Sequence, residues 1–422
     1  MRIAIVGAGV AGLTAAYRLH RDHEIVVFEA NDYAGGHTAT VDVEHHGQHW
    51  AIDTGFIVFN DWTYPRFIAL LEELGVASQP SNMSFSVRCE RSGFEYNGTS
   101  LNTLFAQRSN AFRPAFLRML LEILRFNRAA RTGTLDDSTT LREYLDAGRY
   151  SHDFRDRYLV PMGRAVWSAT ESALLGFPAR FFIDFFHRHG FLSIDERPVW
   201  RAVRGGSRTY VERLVKLFTV RMNTPVAGVR RDADVVWVRT RRGDIERFDQ
   251  VILACHSDQA LALLEAPTDA ERRLLGAFAY QRNEVVLHTD ASLLPRRPLA
   301  RAAWNYHILA QPQAAAAVTY DMNVLQSLSA ADRFMVTLNH SAAIDPASIL
   351  RTFTYHHPVY TLQAVDAQRR LGEISGQQRT FYCGAYWASG FHEDAVVSGE
   401  RAAADLMAAA ARPIDTAKQV LA

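Results

Sequence analysis

The chain opens on an apolar segment whose pattern changes from the period of a strand to that of a helix. Residues 2–6 form a short run with β-branched side chains, which is typical of a buried strand. Glycine-rich residues 7–12 follow at once, and residues 13–20 continue with apolar positions at helical spacing. A second apolar run, residues 24–28, ends at the acidic Glu29. The pattern predicts a strand, a tight turn, a helix and a second strand.

The rest of the pattern divides the chain into blocks. Residues 63–201 are mostly helical in period, with a hairpin pattern over 84–96 and a helix predicted over 101–130. Short strands return after residue 202, strands mix with aromatic residues after 266, and a strand, a glycine-rich loop and an Ala-rich helix close the chain. We therefore predict an α/β fold with a discontinuous Rossmann-type nucleotide-binding domain, a mixed α+β substrate domain and a tail, with these bounds: 1–62, 202–265 and 372–412; 63–201 and 266–371; 413–422.

Composition narrows the class of protein. With 46 basic and 45 acidic residues the formal net charge of the 422-residue chain is +1, so no global field favours nucleic acid. The three cysteines, Cys89, Cys255 and Cys383, form neither a disulfide framework nor a metal motif, which favours a reducing cytoplasm. No run of about twenty strongly apolar residues is present. We expect a cytoplasmic protein without a membrane span.

The first glycine-rich turn carries recognisable chemistry. Gly7, Gly9 and Gly12 have the G-x-G-x-x-G spacing of a dinucleotide-binding turn, in its required position between a strand and a helix. The helix N-terminus offers free N–H groups and a positive dipole end to phosphates. Glu29 follows Gly12 by 29 − 12 = 17 residues, close to the separation of about 20 expected for the acid that binds ribose hydroxyls. An acid there disfavours a 2′-phosphate.

Two further glycine motifs point to a family. Gly35 and Gly36 follow Glu29 closely, residues 53–60 read Asp-Thr-Gly-Phe-Ile-Val-Phe-Asn, and residues 380–395 form a glycine-containing loop before the last helix. Together with the N-terminal unit these motifs resemble the superfamily of flavin amine oxidases, protoporphyrinogen oxidases and phytoene desaturases. The resemblance covers nearly the whole chain and implies bound FAD, with its isoalloxazine ring at the domain interface.

The resemblance also implies site residues. By position, the expected cofactor-binding residues are Gly7, Gly9, Ala11, Gly12, Glu29, Ala30, Gly35, Gly36, His37, Gly55, Phe56, Ile57, Val226, Gly384, Ala385, Gly390, Phe391, His392 and Ala395. No catalytic side chain is assigned, because flavin N5 carries the redox chemistry in such enzymes. Candidate pocket walls are Trp304, Tyr306, Tyr386 and Trp387, although aromatic residues of this kind also commonly fill strand faces.

Departures from the family pattern bear on the substrate. Tyr33 and His37 replace arginines that usually flank the second glycine pair, and Tyr386 replaces a common carboxylate. The chain has only Lys216 and Lys418, and neither matches the lysine that many amine oxidases of the family use to assist reaction with oxygen. The missing lysine favours dehydrogenation or saturation of a carbon–carbon bond over amine oxidation.

Residues 390–394, Gly-Phe-His-Glu-Asp, and the 53–60 segment most resemble those of a bacterial subgroup of predicted FAD oxidoreductases. The genes of that subgroup often lie beside genes for cyclopropane-fatty-acid-synthase-like methyltransferases. That resemblance favours an apolar acyl or modified lipid substrate and a lipid methyltransferase as a functional partner. Two alternatives stay open: a flavin amine oxidase acting on a small amine, and a non-catalytic flavin-binding partner of the methyltransferase.

Residues 112–131 form a basic amphipathic pattern with two interpretations. Arginines outnumber the single acid Glu122, and we expect one broad apolar face formed by Phe116, Leu117, Leu120, Leu121 and Leu124. The segment is either a helix in peripheral contact with the inner membrane or, more commonly for such patterns, an ordinary packed helix with a solvated arginine face.

Three histidines, His45, His46 and His49, lie close together in the sequence. No paired His/Cys motif accompanies them, so we interpret them as surface residues of a hairpin and expect no metal site.

Overall fold

The computed structural model describes residues 1–133, 135–193 and 196–411, which form two compact units. The first unit comprises Met1–Gly36, Val211–Ala277 and residues 367–411, and the second comprises the described residues of His37–Tyr210 and Phe278–Asp366. Residues 37–62 and 202–210, which the sequence analysis assigned to the nucleotide-binding domain, belong to the second unit, and residues 266–277 and 367–371, which it assigned to the substrate domain, belong to the first. The buried Asp53 carboxylate accepts a 2.9 Å hydrogen bond from the Ser207 N–H, which ties residues 37–62 and 202–210 together. The Asp53 N–H also donates to the Gln326 Oε1 at 2.9 Å, which joins them to the rest of the second unit. The predicted tail, 413–422, lies outside the described residues.

The strands follow one another along the described chain. They are β1 (Arg2–Val6), β2 (Glu24–Phe28), β3 (Thr40–His45), β4 (Gln48–Asp53), β5 (Val58–Asn60), β6 (Ser78–Pro80), β7 (Phe85–Cys89), β8 (Phe94–Asn97), β9 (Trp200–Val203), β10 (Thr219–Arg221), β11 (Val226–Arg231), β12 (Val236–Thr240), β13 (Ile245–Phe248), β14 (Gln250–Leu253), β15 (Ala279–His288), β16 (Trp304–Ile308), β17 (Val318–Asp321), β18 (Met335–Leu338), β19 (Ile349–Val359) and β20 (Thr380–Tyr382).

The helices lie between these strands. They are α1 (Val10–Leu19), α2 (Pro65–Glu73), α3 (Leu101–Leu104), α4 (Pro114–Thr132), α5 (Leu141–Ala147), α6 (His152–Phe154), α7 (Val160–Trp167), α8 (Glu171–Leu175), α9 (Ala179–Arg188), α10 (Arg208–Leu214), α11 (Ser257–Leu263), α12 (Asp269–Leu275), α13 (Met322–Leu325), α14 (Leu362–Arg369) and α15 (His392–Ala411).

The first unit is built on a parallel sheet of order β10-β2-β1-β14-β20. Its central strands are almost wholly buried, as expected when helices cover both faces of a parallel sheet. An antiparallel meander of β11, β12 and β13 completes the unit. Because β1 and β14 are neighbours, the turns that follow them lie at the same carboxyl edge of the sheet. This is the Rossmann-type architecture predicted from the sequence, and that prediction is confirmed.

The second unit contains a mixed seven-stranded sheet of order β19-β15-β18-β17-β16-β7-β8. Most of its pairs are antiparallel, whereas β16 and β7 run parallel, with Trp304 opposite Phe85. A buried aromatic cluster fills part of the helical region, where the Trp167 ring lies 4.8 Å from that of Phe185 and 5.7 Å from that of Phe182. The mixed α+β character predicted for this part of the chain is confirmed.

Two predictions of secondary structure were wrong. The helix predicted over 101–130 is interrupted, and α4 begins at Pro114 with Arg113 in an extended conformation. Proline disfavours the helical region for the residue before it, and Arg113 is extended here, so the helix starts at Pro114. The long strand β19 was missed, because its alternation of exposed and half-buried residues carries little apolar signal. In the described residues no helix is long and apolar enough to cross a membrane.

Candidate functional site

The first glycine turn has the geometry that a phosphate cradle requires. Gly7 adopts φ 109°, and a Cβ on it would lie 2.8 Å from the Ala254 carbonyl oxygen. Gly12 lets α1 pass the turn, since a Cβ there would lie 2.1 Å from the Gly7 carbonyl oxygen. Gly9 differs: a Cβ on it would meet nothing within 4 Å. Open space therefore faces the backbone at Gly9, where the sequence analysis placed the pyrophosphate.

The second glycine pair lies against the first turn. The Gly35 N–H donates a 2.8 Å hydrogen bond to the Ala8 carbonyl oxygen, and Gly9 and Gly35 form an isolated parallel bridge. A Cβ on Gly36, which has φ 60°, would lie 3.3 Å from the Gly9 Cα. Two segments without side chains thus meet at the N-terminus of α1, where Gly9 provides no side-chain cap and the N–H groups of the first turn are left for a ligand.

Glu29 has a structural role that its distance from Gly12 in the sequence did not predict. Its Oε2 accepts a 2.9 Å hydrogen bond from the Ala8 N–H, and its Oε1 accepts from the Asn31 backbone N–H at 2.9 Å and from the Asn31 Nδ2 at 3.0 Å. The carboxylate is buried and holds the glycine turn in shape. Ribose binding by Glu29 stays a prediction.

The segment leading to Val226 lies beside Glu29. The Thr224 N–H donates to the Glu29 carbonyl oxygen at 2.8 Å, and the Glu29 N–H donates to the Arg221 carbonyl oxygen at 3.0 Å. Val226 is buried at the start of β11, and Ala30 is exposed. These positions suit residues expected to line an adenosine site.

The closing motif packs onto the opening one within the first unit. A Cβ on Gly399 of α15 would lie 2.3 Å from the Ala11 carbonyl oxygen, so only glycine lets α15 approach α1 this closely. The Gly384 N–H donates to the Ser398 hydroxyl at 3.0 Å, and the Phe391 N–H donates to Asp394 Oδ2 at 2.9 Å. The other predicted residues of the motif cluster around these contacts: Ala385 begins a short 3₁₀ turn, Gly390 has φ 97°, His392 begins α15, and Ala395 is buried.

The remaining predicted cofactor residues belong to the second unit and lie together there. The Phe56 N–H donates to the His37 carbonyl oxygen at 2.8 Å, and a Cβ on Gly55 would lie 2.0 Å from the same oxygen. Ile57 follows, largely buried. The His37 ring lies 5.2 Å from that of Tyr355 and 5.5 Å from that of His357. Burial, reinforced by neighbouring His37 and His356, lowers the pKa of His357 to about 3, so this ring is neutral at physiological pH.

The candidate pocket walls divide between the two units. Trp304 and Tyr306 are two residues apart on β16 and so share one face of the sheet in the second unit. Tyr386 and Trp387 are buried in the first unit, with their ring centroids 5.1 Å apart. Their role as pocket walls stays a prediction.

The structure corrects the predicted apolar face of α4. Phe116 is buried together with Met119 and Phe126, on a different side of the helix from three of the predicted leucines. Leu117, Leu121 and Leu124 are 41%, 67% and 49% exposed. Helical spacing of four and three residues puts these leucines in one stripe, which we call the leucine stripe. Arg118, Arg125 and Arg128 are exposed alongside it.

His45, His46 and His49 lie on a hairpin as predicted, and the structure adds a partner that is distant in sequence. The expectation of no metal site stays a prediction. His45 and His46 place their Nε2 atoms 2.8 and 2.9 Å from the same Asp332 carboxylate oxygen. These three residues form a group that could hold a metal ion. His49 faces the other side of the hairpin, opposite Glu44. No sequence signal pointed to Asp332.

The two glycine turns, the uncapped helix N-terminus and the closing motif that packs on α1 together define an adenine-dinucleotide-binding protein of Rossmann type. Residues 10–407 match the sequence model of the family described as "Flavin containing amine oxidoreductase", and the chain belongs to this family. It is an FAD-dependent oxidoreductase. The cradle described above fits FAD, because it presents backbone N–H groups without side chains at the position of the pyrophosphate.

Solved structures agree on the fold. Cyclohexylamine oxidase from Brevibacterium oxydans IH-35A superimposes with a TM-score of 0.72 at 16% identity, covering 97% of this chain and 99% of that one. A putrescine oxidase bound to putrescine gives 0.68 at 17% identity, covering 97% and 99%. The "CLA-producing fatty acid isomerase from P. acnes" gives 0.67 at 16% identity, covering 96% and 98%. The same fold thus occurs in proteins named for amines and for a fatty acid.

Proposed function

We propose that this enzyme dehydrogenates or saturates a carbon–carbon bond of an apolar acyl substrate that it meets at a membrane surface. When bound, FAD supplies a two-electron acceptor for a hydride at its N5 atom. The observation that carries the proposal is the leucine stripe on α4, exposed beside arginines. Contiguous exposed apolar side chains rimmed by basic ones suit contact with an anionic, lipid-containing surface.

The distribution of lysine supports the choice of carbon–carbon chemistry. Many amine oxidases of the family that this chain resembles place a lysine opposite flavin N5, where it acts through a water molecule. Within residues 1–133, 135–193 and 196–411 the only lysine is Lys216, which is exposed in the turn after α10. Its side chain therefore lies on the surface of the first unit. The fatty acid isomerase of the same fold illustrates that the architecture is compatible with an acyl substrate.

Anaerobic mixing of the FAD-loaded enzyme with candidate substrates tests this chemistry. We expect a methyl-branched or cyclopropane-bearing fatty acid to bleach the visible absorption of the oxidised flavin, or the unsaturated product to restore it in the reduced enzyme. Primary amines should leave the spectrum unchanged, and free FAD with each compound is the control. Bleaching by an amine alone would support the amine oxidase alternative, and no bleaching by either class would support a non-catalytic partner of a lipid methyltransferase.

Vesicle co-sedimentation tests the membrane contact. Each basic residue near an anionic surface contributes about 1 kcal/mol, so reversing two charges should weaken binding roughly 30-fold or more. We expect Arg118→Glu with Arg128→Glu to lose binding to phosphatidylserine-containing vesicles. Raising the salt should have the same effect on the wild type, because the Debye length falls from about 10 Å at 0.1 M to about 3 Å at 1 M.

A matched control has the same change in net charge elsewhere. Arg241 and Arg242 are exposed in the turn between β12 and β13, so Arg241→Glu with Arg242→Glu should bind vesicles like the wild type. Equal loss in both double variants would mean that only net charge matters. Absence of binding by the wild type at low salt would contradict the proposed contact.

A further inference from the structure

Arg164 on α7 is a buried cation without a counter-ion. Its residue is 8% exposed, and it forms no ion pair with any carboxylate in the part of the chain that the structure describes. An unpaired buried charge is costly, and proteins normally pair it with an acid or a bound ion. Two other buried charges of the second unit, Asp321 and Glu95, each have an arginine partner.

The donors of Arg164 are only partly used. Nε donates to the Ala169 carbonyl oxygen at 3.2 Å, and Nη2 donates to the Ala314 carbonyl oxygen at 2.7 Å. These two bonds fix the plane of the guanidinium group. Nη1 makes no hydrogen bond to a described residue. It is not completely buried. It is thus a fixed, charged donor that keeps some exposed surface and has no partner among the described residues.

Tyr306 provides a second donor beside it. The Arg164 Cζ lies 5.9 Å from the centre of the Tyr306 ring, whose residue is 3% exposed. Burial raises the pKa of Tyr306 to about 12, so its hydroxyl is protonated at neutral pH. That hydroxyl also makes no hydrogen bond with the described residues, and it is not completely buried.

The residues around Arg164 and Tyr306 indicate the charge and polarity of a matching ligand. Trp304 shares the sheet face of Tyr306, and its buried Nε1 has no hydrogen-bond partner among the described residues. The acid whose charge acts on Tyr306 is Glu171, which is exposed at the start of α8 and forms no ion pair with Arg164 among the described residues. One unpaired positive charge among aromatic rings matches a monoanion with an apolar body. A doubly charged phosphate would leave an unbalanced negative charge there.

We infer that Arg164 and Tyr306 bind the carboxylate of a free fatty acid, with the Arg164 Nη1 and the Tyr306 hydroxyl donating to its oxygens. The inference rests on the proposed acyl substrate and makes it more specific: the substrate is the free acid and not an ester or a phospholipid-bound chain. A carboxylate would both neutralise Arg164 and satisfy two donors, and hydrogen bonds of this charge-assisted kind are the stronger ones.

Equilibrium binding to the FAD-loaded enzyme tests the inference without relying on turnover. Dodecanoate and its methyl ester are titrated calorimetrically into the wild type, Arg164→Met and Tyr306→Phe. We expect the wild type to prefer the acid by about tenfold or more, as expected for a charge-assisted hydrogen bond. Arg164→Met should bind acid and ester equally, and Tyr306→Phe should lose a few-fold of the acid affinity only. Glu171→Gln, which changes a nearby exposed charge, is the matched control and should keep the preference.

The outcomes separate this inference from the proposed function. Equal binding of acid and ester by the wild type, or an acid preference retained in Arg164→Met, would overturn the carboxylate site while leaving an acyl substrate in place. Failure of both ligands to bind would overturn the acyl substrate and the carboxylate site together. If Arg164→Met does not fold, the acid preference in Tyr306→Phe decides, and an unchanged preference there would count against the site.

Discussion

Gly9→Val should weaken FAD binding strongly and leave the apoprotein folded. The backbone at Gly9 has φ −72° and ψ 172°, which any residue adopts, and a Cβ there would meet nothing within 4 Å. A branched side chain would instead fill the space in front of the α1 N-terminus, where phosphate oxygens would accept backbone hydrogen bonds. Each charge-assisted bond contributes about 1.5–3 kcal/mol, so losing two should weaken FAD binding roughly a hundredfold or more.

Gly12→Val is the contrasting variant at the same turn. Its Cβ would lie 2.1 Å from the Gly7 carbonyl oxygen and 3.0 Å from the Ala254 Cβ, so the overlap acts on the protein itself. Overpacking of this kind costs about 1–3 kcal/mol or more. Fluorescence titration with FAD and thermal unfolding of the two apoproteins separate the effects. Normal FAD affinity in Gly9→Val would mean that the cofactor does not approach this turn.

Glu271→Ala should strongly destabilise the first unit. Glu271 is 1% exposed on α12 and forms an ion pair with Arg231 of β11, whose side chain is equally buried. It also accepts a 2.6 Å hydrogen bond from the Tyr382 hydroxyl and a 2.7 Å bond from the Thr268 N–H. Removing one partner of a buried pair leaves an uncompensated charge and costs about 3–5 kcal/mol. Urea unfolding of the apoprotein should show this loss in its first transition.

The same pair predicts a pH dependence. Burial acts to raise the pKa of Glu271, but the hydrogen bonds from Arg231, Tyr382 and Thr268 outweigh it and hold the pKa below its usual value of 4.5. The unfolded chain therefore binds this proton more readily than the folded one. The stabilisation is present above about pH 4.5 and is lost as the pH falls through the folded-state pKa.

Two matched variants, Glu271→Gln and Tyr382→Phe, nearly keep the size of the side chain that they replace. Glu271→Gln retains an acceptor and should cost less than Glu271→Ala, and Tyr382→Phe removes only one neutral donor. Both glutamate variants should lose the part of the acid sensitivity that Glu271 contributes. If Glu271→Ala unfolds like the wild type at pH 7, the pair makes no net contribution to stability.

Short-range patterns determined the N-terminal strand–turn–helix–strand segment of the first unit almost completely. The order of β1, the glycine turn, α1, β2 and Glu29 follows from apolar period and glycine spacing within thirty residues, because each element needs only its chain neighbours to be specified. The family resemblance and the FAD cofactor followed from the same local motifs. Even there, the hydrogen bonds from Ala8 and Asn31 to Glu29 and the approach of Gly399 to Ala11 appeared only in three dimensions.

The side of α4 that the protein buries could not be read from the sequence. Phe116 and Leu117 are both apolar neighbours at the start of the helix, yet one is buried and the other 41% exposed. Their period is compatible with more than one buried face, and the choice depends on which elements pack against the helix. Tertiary packing chose the Phe116 side and left the leucine stripe to solvent.

Contacts between distant residues lay beyond the sequence for the same reason. Asp332 joins His45 from 287 residues away, and Arg164 meets the Tyr306 ring across a separation of 142 positions (306 − 164). Nothing in the local pattern of either partner marks it as one half of a pair. The sequence by itself determined the cofactor and the elements that hold it, because those depend on local backbone geometry. Which charges stay unpaired, and which apolar side chains stay exposed, was decided by tertiary packing, since burial is a property of the folded whole.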